Sequence, residues 1–343
     1  MSFQVGITPD FRTLAAGLLE PALAEVFHPA SQVNYDWMPD TAGVGVAEVL
    51  DRYDAVIGLD YRFTAESFGG IRRLAALARW GVGYDMVDVA ACTLADVILT
   101  ITPDSVRRPM AEANIALIWS LAKNLSLLER ECRAGRWKDA LSRNGTCLKG
   151  RTLGSVGLGN IASEMFRIAR GMGFGRLLAY SPRTAPDAAA ALGVELNDLD
   201  TTLRESDFVT INCPLNPRTR GMIGARELRL MKPSAFLINC ARGAIVDEGA
   251  LVDALTHGRI AGAGLDVFEI EPIRSGHPLL SCDSVIVTPH AAGRTEESIR
   301  DTSLSACRAI LALSRGELPP YIANRDVLER PGLLAKLRGL GPK

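Results

Sequence analysis

The stretch Leu153-Gly154-Ser155-Val156-Gly157-Leu158-Gly159-Asn160-Ile161-Ala162 narrows what this chain can fold into more than any other. A short apolar run enters it, glycines interrupt at 157 and 159, and Ile161, Met165, Ile168 and Met172 then recur on one helical face. That reads as strand, tight turn, helix. Gly157 permits the turn, and Gly159 lets backbone approach a pyrophosphate seated on the N–H groups of the helix that Asn160 and Ile161 open. Ala162 holds the third glycine position, where the need is only close helix–strand packing. A lone glycine turn is weak, because such turns arise for steric reasons in many folds. Its weight here comes from the strand–helix alternation that follows.

The alternation begins well before the turn. Apolar runs predict strands over 3–8, 53–58 and 97–100, with helices over 11–26 and 71–78, forming a small parallel α/β layer. A glycine-bearing turn, 79–85, closes one of its strand–helix units. Pro103 changes the regime. Pro109 is expected in the first turn of a long helix carrying Leu117, Leu121, Leu125 and Leu128, which reads as a core helix and as the crossing between two domains. Strands are then predicted over 152–156, 177–180, 208–212 and 235–239, and for runs ending at Asp266 and Thr288, with helices near 188–192 and over 248–256. Right-handed crossovers place these in one doubly wound sheet. Thr295 is a candidate N-cap for a second long helix bearing Ile299, Ala306, Ile310 and Leu313, with Glu296 and Glu297 in its first turn. From Gly316 onward the chain is punctuated by Pro and Gly and is expected to wrap the surface.

A length of 343 residues fits about two domains. A net charge of −1 gives no reason to expect nucleic acid or an anionic membrane as partner. The longest apolar run, near 115–122, is interrupted by Ser120 and ends at Lys123, short of the ~20 residues a bilayer span needs. The first residues carry no basic stretch followed by an apolar core, so no signal peptide is expected. Seven cysteines without a C-x-x-C pair build neither a disulfide framework nor a zinc site, so no metal is expected. The expected setting is reduced and cytoplasmic.

In an open parallel sheet, ligands sit beyond the carboxyl ends of the strands. Three residues just past such ends stand out: Arg242, Glu271 and His290. A guanidinium can grip a 2-keto acid with fixed fork geometry. A histidine can deliver a proton as hydride reaches the carbonyl carbon, and a carboxylate beside it orients the ring and favours imidazolium. Singly, each has a blander role: a surface ion pair for Arg242, a solvated loop for Glu271, a backbone hydrogen bond for His290. Together, on one sheet edge beside a glycine turn, the catalytic role is the better account. His28 and His277 lie beside prolines in apparent loops and His257 closes a helix, so they are poorer candidates.

The segments 239–251 (Asn-Cys-Ala-Arg-Gly-Ala-Ile-Val-Asp-Glu-Gly-Ala-Leu), 264–272 and Thr288-Pro289-His290 resemble the signatures of the D-isomer-specific 2-hydroxyacid dehydrogenases. Met110-Ala111-Glu112, Gly81-Val82-Gly83-Tyr84-Asp85 and Cys213-Pro214-Leu215 fit the same pattern, and the resemblance runs from about residue 5 to 328. It implies that Arg242 binds substrate, Glu271 supports the histidine and His290 is the acid/base, while backbone at Val82 and Gly83 holds the substrate carboxylate. The implied cofactor contacts are Gly157, Gly159, Asn160, Ile161, Ser181, Arg183, Cys213, Pro214, Cys240, Ala241, Asp266 and Gly293. The implied fold is α/β with two doubly wound parallel-sheet domains. A Rossmann cofactor domain (103–292) is inserted into a flavodoxin-like substrate domain split into 1–102 and 293–343, with homodimerisation through the cofactor domain.

Members that prefer NAD usually carry an acidic residue after the second strand; here Ala179-Tyr180-Ser181-Pro182-Arg183-Thr184 has no carboxylate before Asp187. Ser181 removes repulsion toward a 2′-phosphate and Arg183 can pair with it, which favours NADP over NAD. The competing account leaves Arg183 in solvent and NAD bound through other contacts. The expected activity is hydride transfer between NAD(P)H and a small 2-keto or D-2-hydroxy acid, with glyoxylate or hydroxypyruvate first in line. One alternative is a phosphoglycerate-type dehydrogenase without its regulatory domain, since only about fifty residues follow His290. Another is a non-enzymatic, corepressor-like dinucleotide sensor. Glu271, where formate dehydrogenases of this superfamily carry glutamine, argues against formate.

Overall fold

The computed structural model describes residues 2–138 and 144–340. It divides into two compact units, Met1–Val106 with Thr295–Lys343, and Arg107–Arg294.

In the first unit, β1 (Phe3–Ile7), β2 (Val33–Trp37), β3 (Ala55–Gly58), β4 (Ala76–Arg79) and β5 (Ile98–Thr100) form a sheet in the order β2-β1-β3-β4-β5. Every pairing is parallel. Parallel strands covered on both faces must be apolar on both, and β1, β3, β4 and β5 largely are, while the edge strand β2 alternates. Val5, Ile7, Ala55 and Ile57 join one core with Leu23, Phe27 and Ile310. Val56, Leu77 and Leu99 join a second core with Leu50, Tyr53 and Phe63. The order is that of a flavodoxin-like sheet.

In the second unit, β6 (Thr152–Val156), β7 (Arg176–Tyr180), β8 (Glu195–Leu196), β9 (Phe208–Ile211), β10 (Phe236–Asn239), β11 (Gly262–Leu265) and β12 (Val285–Val287) are ordered β12-β11-β10-β9-β6-β7-β8. The order reverses direction at β6, which pairs with β7 on one side and with β9 on the other. Such a reversal opens a crevice at the strand ends, and the glycine turn leaves β6 there. Leu153, Phe208 and Ile238 bury into one face, and Val209, Ile211 and Leu237 into the other.

Several expected elements differ. Residues 71–78 are not helical: 71–75 is irregular and β4 follows. The spacing of Ile71, Leu74, Leu77 and Ala78 imitates a helix face, but Ala76 is paired between Ala55 and Ile98. The Asp51 carboxylate accepts the N–H groups of Arg72 and Arg73, at 2.8 and 2.6 Å, that helix would otherwise have to satisfy. The expected helix over 11–26 is two pieces, Phe11–Leu14 and Glu20–Phe27, and β2 was not foreseen because its polar alternation suits an edge. Pro109 lies inside helix Pro103–Ala122 and not in its first turn. That helix ends before Asn124, at φ +53, so Leu125 and Leu128 belong to a separate helix, Leu125–Arg133. Beyond Gly316 the chain is not a mere wrap. Ile322 bridges Thr100, and Pro331, a helix-compatible first residue, opens helix Pro331–Leu340. Thr295 caps helix Glu296–Ser314, its Oγ1 accepting the Ser298 N–H at 3.1 Å. Among the described residues no helix is long and apolar enough to cross a membrane.

Candidate active site

Gly157 takes φ +103, and a Cβ there would lie 2.7 Å from the Asn212 carbonyl. Only glycine fits a turn pressed so closely on the chain leaving β9. Gly159 precedes helix Asn160–Ala169 as its N-cap, and a Cβ built on it would meet nothing within 4 Å. Ala162 is fully buried beneath. Open space thus fronts the unsatisfied N–H groups of a helix start, which fits a dinucleotide pyrophosphate held at Gly159, Asn160 and Ile161.

One strand over, β7 ends in a turn in which the Thr184 N–H donates to the Ser181 carbonyl at 3.1 Å and Thr184 Oγ1 donates to Ser181 Oγ at 2.9 Å. Arg183 is exposed beside it. Cys213 and Pro214 follow β9, and Cys240 and Ala241 follow β10, at the same carboxyl edge. Burial pushes the Cys213 thiol up to about 11, and burial together with the Asp266 charge pushes Cys240 up as well. Both are neutral thiols near pH 7.

The β10, β11 and β12 ends bring Arg242, Glu271 and His290 together. His290 Nδ1 lies 2.7 Å from Glu271 Oε2, while Glu271 Oε1 accepts the Phe268 N–H at 3.0 Å. A carboxylate only accepts, so Nδ1 carries the hydrogen and Nε2 is left facing away from Glu271. The hydrogen bond to Glu271 raises the His290 pKa against the opposing effects of burial and of Arg242. Burial would raise Glu271, but hydrogen bonds from His290 and Phe268 and the charges of His290 and Arg242 outweigh it and hold it low. Arg242 Nη1 donates to the Ala241 carbonyl at 2.8 Å.

Asp266, inferred from sequence only as a cofactor contact, also organises the histidine loop. Buried at 1% exposure, its Oδ1 accepts from Thr288 Oγ1 at 2.7 Å and from the N–H groups of Ala291 and Ala292 at 2.9 and 3.0 Å. Its carbonyl takes the His290 N–H at 2.8 Å, and His290 adopts φ +52, a sparsely populated backbone for a residue with a Cβ. Gly293 ends the loop against Met110. On the opposite flank, any Cβ at Gly243 would overlap the Phe268 carbonyl, so the turn after β10 packs backbone to backbone on the loop bearing Glu271.

Val82 and Gly83 belong to the other unit. Arg79 Nε donates to the Gly83 carbonyl at 2.8 Å, and its Nη1 donates to that of Trp80. The Gly81 carbonyl accepts the Thr102 N–H at 2.9 Å. Among the described residues, no backbone hydrogen bond takes the N–H of Val82 or Gly83. Sequence reasoning did not single out Arg79, nor Glu248 and His277, whose side chains meet at 3.1 Å. His277 lies beside Pro278 in a loop, and no local pattern pairs it with Glu248.

A dinucleotide turn at the switch point of a doubly wound sheet, with a histidine–carboxylate pair and an arginine on the same edge, defines a nicotinamide-dependent dehydrogenase. The family model for the D-isomer specific 2-hydroxyacid dehydrogenase NAD binding domain matches residues 115–292, and the chain belongs to that family as an NAD(P)-dependent oxidoreductase. It is 38% identical to a glyoxylate reductase of Korarchaeum cryptofilum over 86% of this chain and 89% of the relative. A crystal structure of a glyoxylate reductase from Paecilomyes thermophila is similar, with TM-score 0.81 and 28% identity over 95% of this chain and 99% of that one. So is an NADPH-dependent glyoxylate/hydroxypyruvate reductase from Sinorhizobium meliloti in complex with NADP and malonate, with TM-score 0.81 and 27% identity over 94% and 98% of the two chains.

Proposed function

We propose that the enzyme reduces a small 2-keto acid of the glyoxylate or hydroxypyruvate type to its hydroxy acid, with NADPH preferred. The observation that carries this reading is the 2.7 Å His290–Glu271 hydrogen bond beside Arg242, on the sheet edge where the glycine turn opens. The dinucleotide, when bound at Gly159, Asn160 and Ile161, supplies the hydride. His290, charged and held by Glu271, gives the proton from Nε2 to the carbonyl oxygen. Arg242 grips the substrate and stabilises the developing alkoxide. Glu271 keeps the ring oriented and the imidazolium favoured.

NADP preference rests on Ser181, which brings no charge to a 2′-phosphate, and on exposed Arg183, for which no ion pair is seen among the described residues. Cys213, Pro214, Cys240, Ala241, Asp266 and Gly293 complete the proposed cofactor lining. The seven cysteines are free thiols, which suits a reducing, cytoplasmic setting. A homodimer through the cofactor unit would cover Trp119, Leu125, Leu128 and Trp137, all exposed.

Steady-state reduction of a 2-keto acid panel with each cofactor tests the reading. His290→Gln is expected to lower kcat by roughly 10²–10⁴-fold. Wild-type turnover in that variant sinks the mechanism, and cofactor binding without turnover on any 2-keto acid points to a sensor instead. Ser181→Asp is expected to move preference toward NADH; an unchanged NADPH/NADH ratio refutes the role of the turn after β7.

A further inference from the structure

We propose that Glu248 and His277 act as a positioning pair that sets the Glu271 carboxylate against His290. Glu248 opens helix Glu248–Thr256 but does not cap it; the neighbouring Asp247 does, accepting the Ala250 N–H at 2.8 Å. The Glu248 carboxylate instead reaches across to the loop that carries Glu271 and holds it at two points. Its Oε2 accepts the Glu269 N–H at 3.0 Å, two residues before Glu271. Its Oε1 lies 3.1 Å from His277 Nε2, six residues after it. His277 Nδ1 accepts the Leu279 N–H at 3.3 Å, so its ring hydrogen sits on Nε2 and donates to Glu248.

The result is two hydrogen-bonded runs joined through the Phe268–Glu269 peptide. Leu279 N–H binds His277, His277 binds Glu248, Glu248 holds Glu269, and the adjacent Phe268 N–H binds Glu271, which binds His290. Side-chain exposures of 23% for His277 and 18% for Glu248 keep the pair largely out of bulk water, where its geometry is worth more than that of a solvated pair. The loop needs such a hold. Ile270 is 58% exposed and Glu269 is also exposed, so apolar burial does not fix the tip that presents Glu271. An outer hydrogen bond that fixes a catalytic side chain is often as necessary as the side chain itself, since a misplacement of about 1 Å can cost about a hundredfold in rate.

The inference rests on the acid–base reading of Glu271 and His290. If Glu248 or His277 is lost, the Glu269–Glu271 turn loosens and the carboxylate no longer holds the imidazolium. Reduction should then fail at lower pH. The charged groups facing His290, namely Glu271, Arg242 and Asp266, are untouched by these changes.

The experiment compares pH profiles of kcat/KM for glyoxylate reduction in the full-length enzyme. The variants are Glu248→Ala, Glu248→Gln, His277→Asn and the Glu248→Ala/His277→Asn pair, each also made in a Glu271→Gln background, with thermal unfolding followed in parallel. Expected are a falling limb displaced to lower pH, kcat reduced roughly ten- to a hundredfold, and cofactor KM changed less than about threefold. The double variant should be no worse than the poorer single one, because the pair acts as a unit. In the Glu271→Gln background the same changes should cost nothing further. A limb that stays at its wild-type pH, or an equal loss of kcat with Glu271 already removed, overturns the proposal. Glu248→Gln and His277→Asn, which keep polar side chains, decide the matter if Glu248→Ala does not fold. If Glu271→Gln and His290→Gln keep wild-type turnover, the acid–base reading fails and this inference falls with it; if those two are inactive while the Glu248 and His277 variants are normal, this inference alone fails.

Discussion

His290 and Glu271 illustrate how two titrations become one chemical property. The pair is carboxylate and imidazolium between the lowered Glu271 pKa and the raised His290 pKa. In the proposed mechanism keto-acid reduction consumes the His290 proton, so kcat/KM for reduction should hold through pH 6.5 and fall only as the raised histidine pKa is passed. Oxidation of the hydroxy acid needs the neutral ring and should rise over the same interval. Profiles in both directions check this, and coincident limbs of the same slope would contradict it. The linkage to stability has two signs. The His290 contribution is fully present below its unfolded pKa and is lost as pH rises through the folded value. The Glu271 contribution is present above its unfolded pKa and is lost as pH falls through the folded one. Gly157 is a second residue-scale case. Gly157→Ala must hold φ +103 and press on the Asn212 carbonyl, so it should cost about 1–3 kcal/mol of stability and weaken dinucleotide binding. Urea unfolding and a cofactor fluorescence titration measure the two effects, and unchanged values in both would show that the turn tolerates a side chain.

At the scale of elements, legibility followed the strength of local signals. Helix Glu248–Thr256 was readable to its ends because Asp247 caps it and Leu251, Ala254 and Leu255 repeat on one face. β6 and its turn were readable because apolar run, glycines and helix period coincide at 153–165. Residues 71–78 were misread because a helical spacing of apolar residues is also what a strand buried on both faces can show, and only pairing with β3 and β5 decides. Arg242, Glu271 and His290 were legible as residue types at strand ends. Glu248 and His277 were not, because nothing local couples a helix-start carboxylate to a loop histidine far along the chain. The tail beyond Gly316 was underestimated for the same reason. Asn324 is 5% exposed and accepts the Leu99 N–H at 2.8 Å while donating to the Val97 carbonyl at 2.9 Å and to Thr93 Oγ1 at 3.0 Å. Asn324→Ala leaves the buried Leu99 N–H unpaired and the Val97 carbonyl with only the Cys92 thiol, at 3.3 Å, as donor, and should cost about 1–3 kcal/mol. A urea midpoint that does not move would mean the tail adds nothing to the first unit.

At the scale of the whole molecule, each unit carries its own pair of cores. What remains unburied is informative. Leu125 and Leu128, 49% and 36% exposed, lie on helix Leu125–Arg133 beside Glu129, Arg130 and Arg133, while Trp119 and Trp137 are exposed at 39% and 68% on either side of it in sequence. Single exposed apolar residues are ordinary, but several within one stretch of the cofactor unit suit the proposed contact with another chain. A second copy is the proposed occupant. The wild-type enzyme should therefore sediment at twice its 36.8 kDa chain mass, and Leu125→Asp with Leu128→Asp should bring it to the single-chain value at micromolar concentration. Charges in place of those two leucines would have to be buried in the proposed contact, which disfavours association without touching the glycine turn. Dinucleotide binding by the monomeric variant should survive, since Gly157, Gly159 and the helix start that would receive the pyrophosphate lie at the carboxyl end of β6. A wild-type protein that sediments as a single chain, or a double variant that still sediments as a dimer, would remove this surface from the assembly.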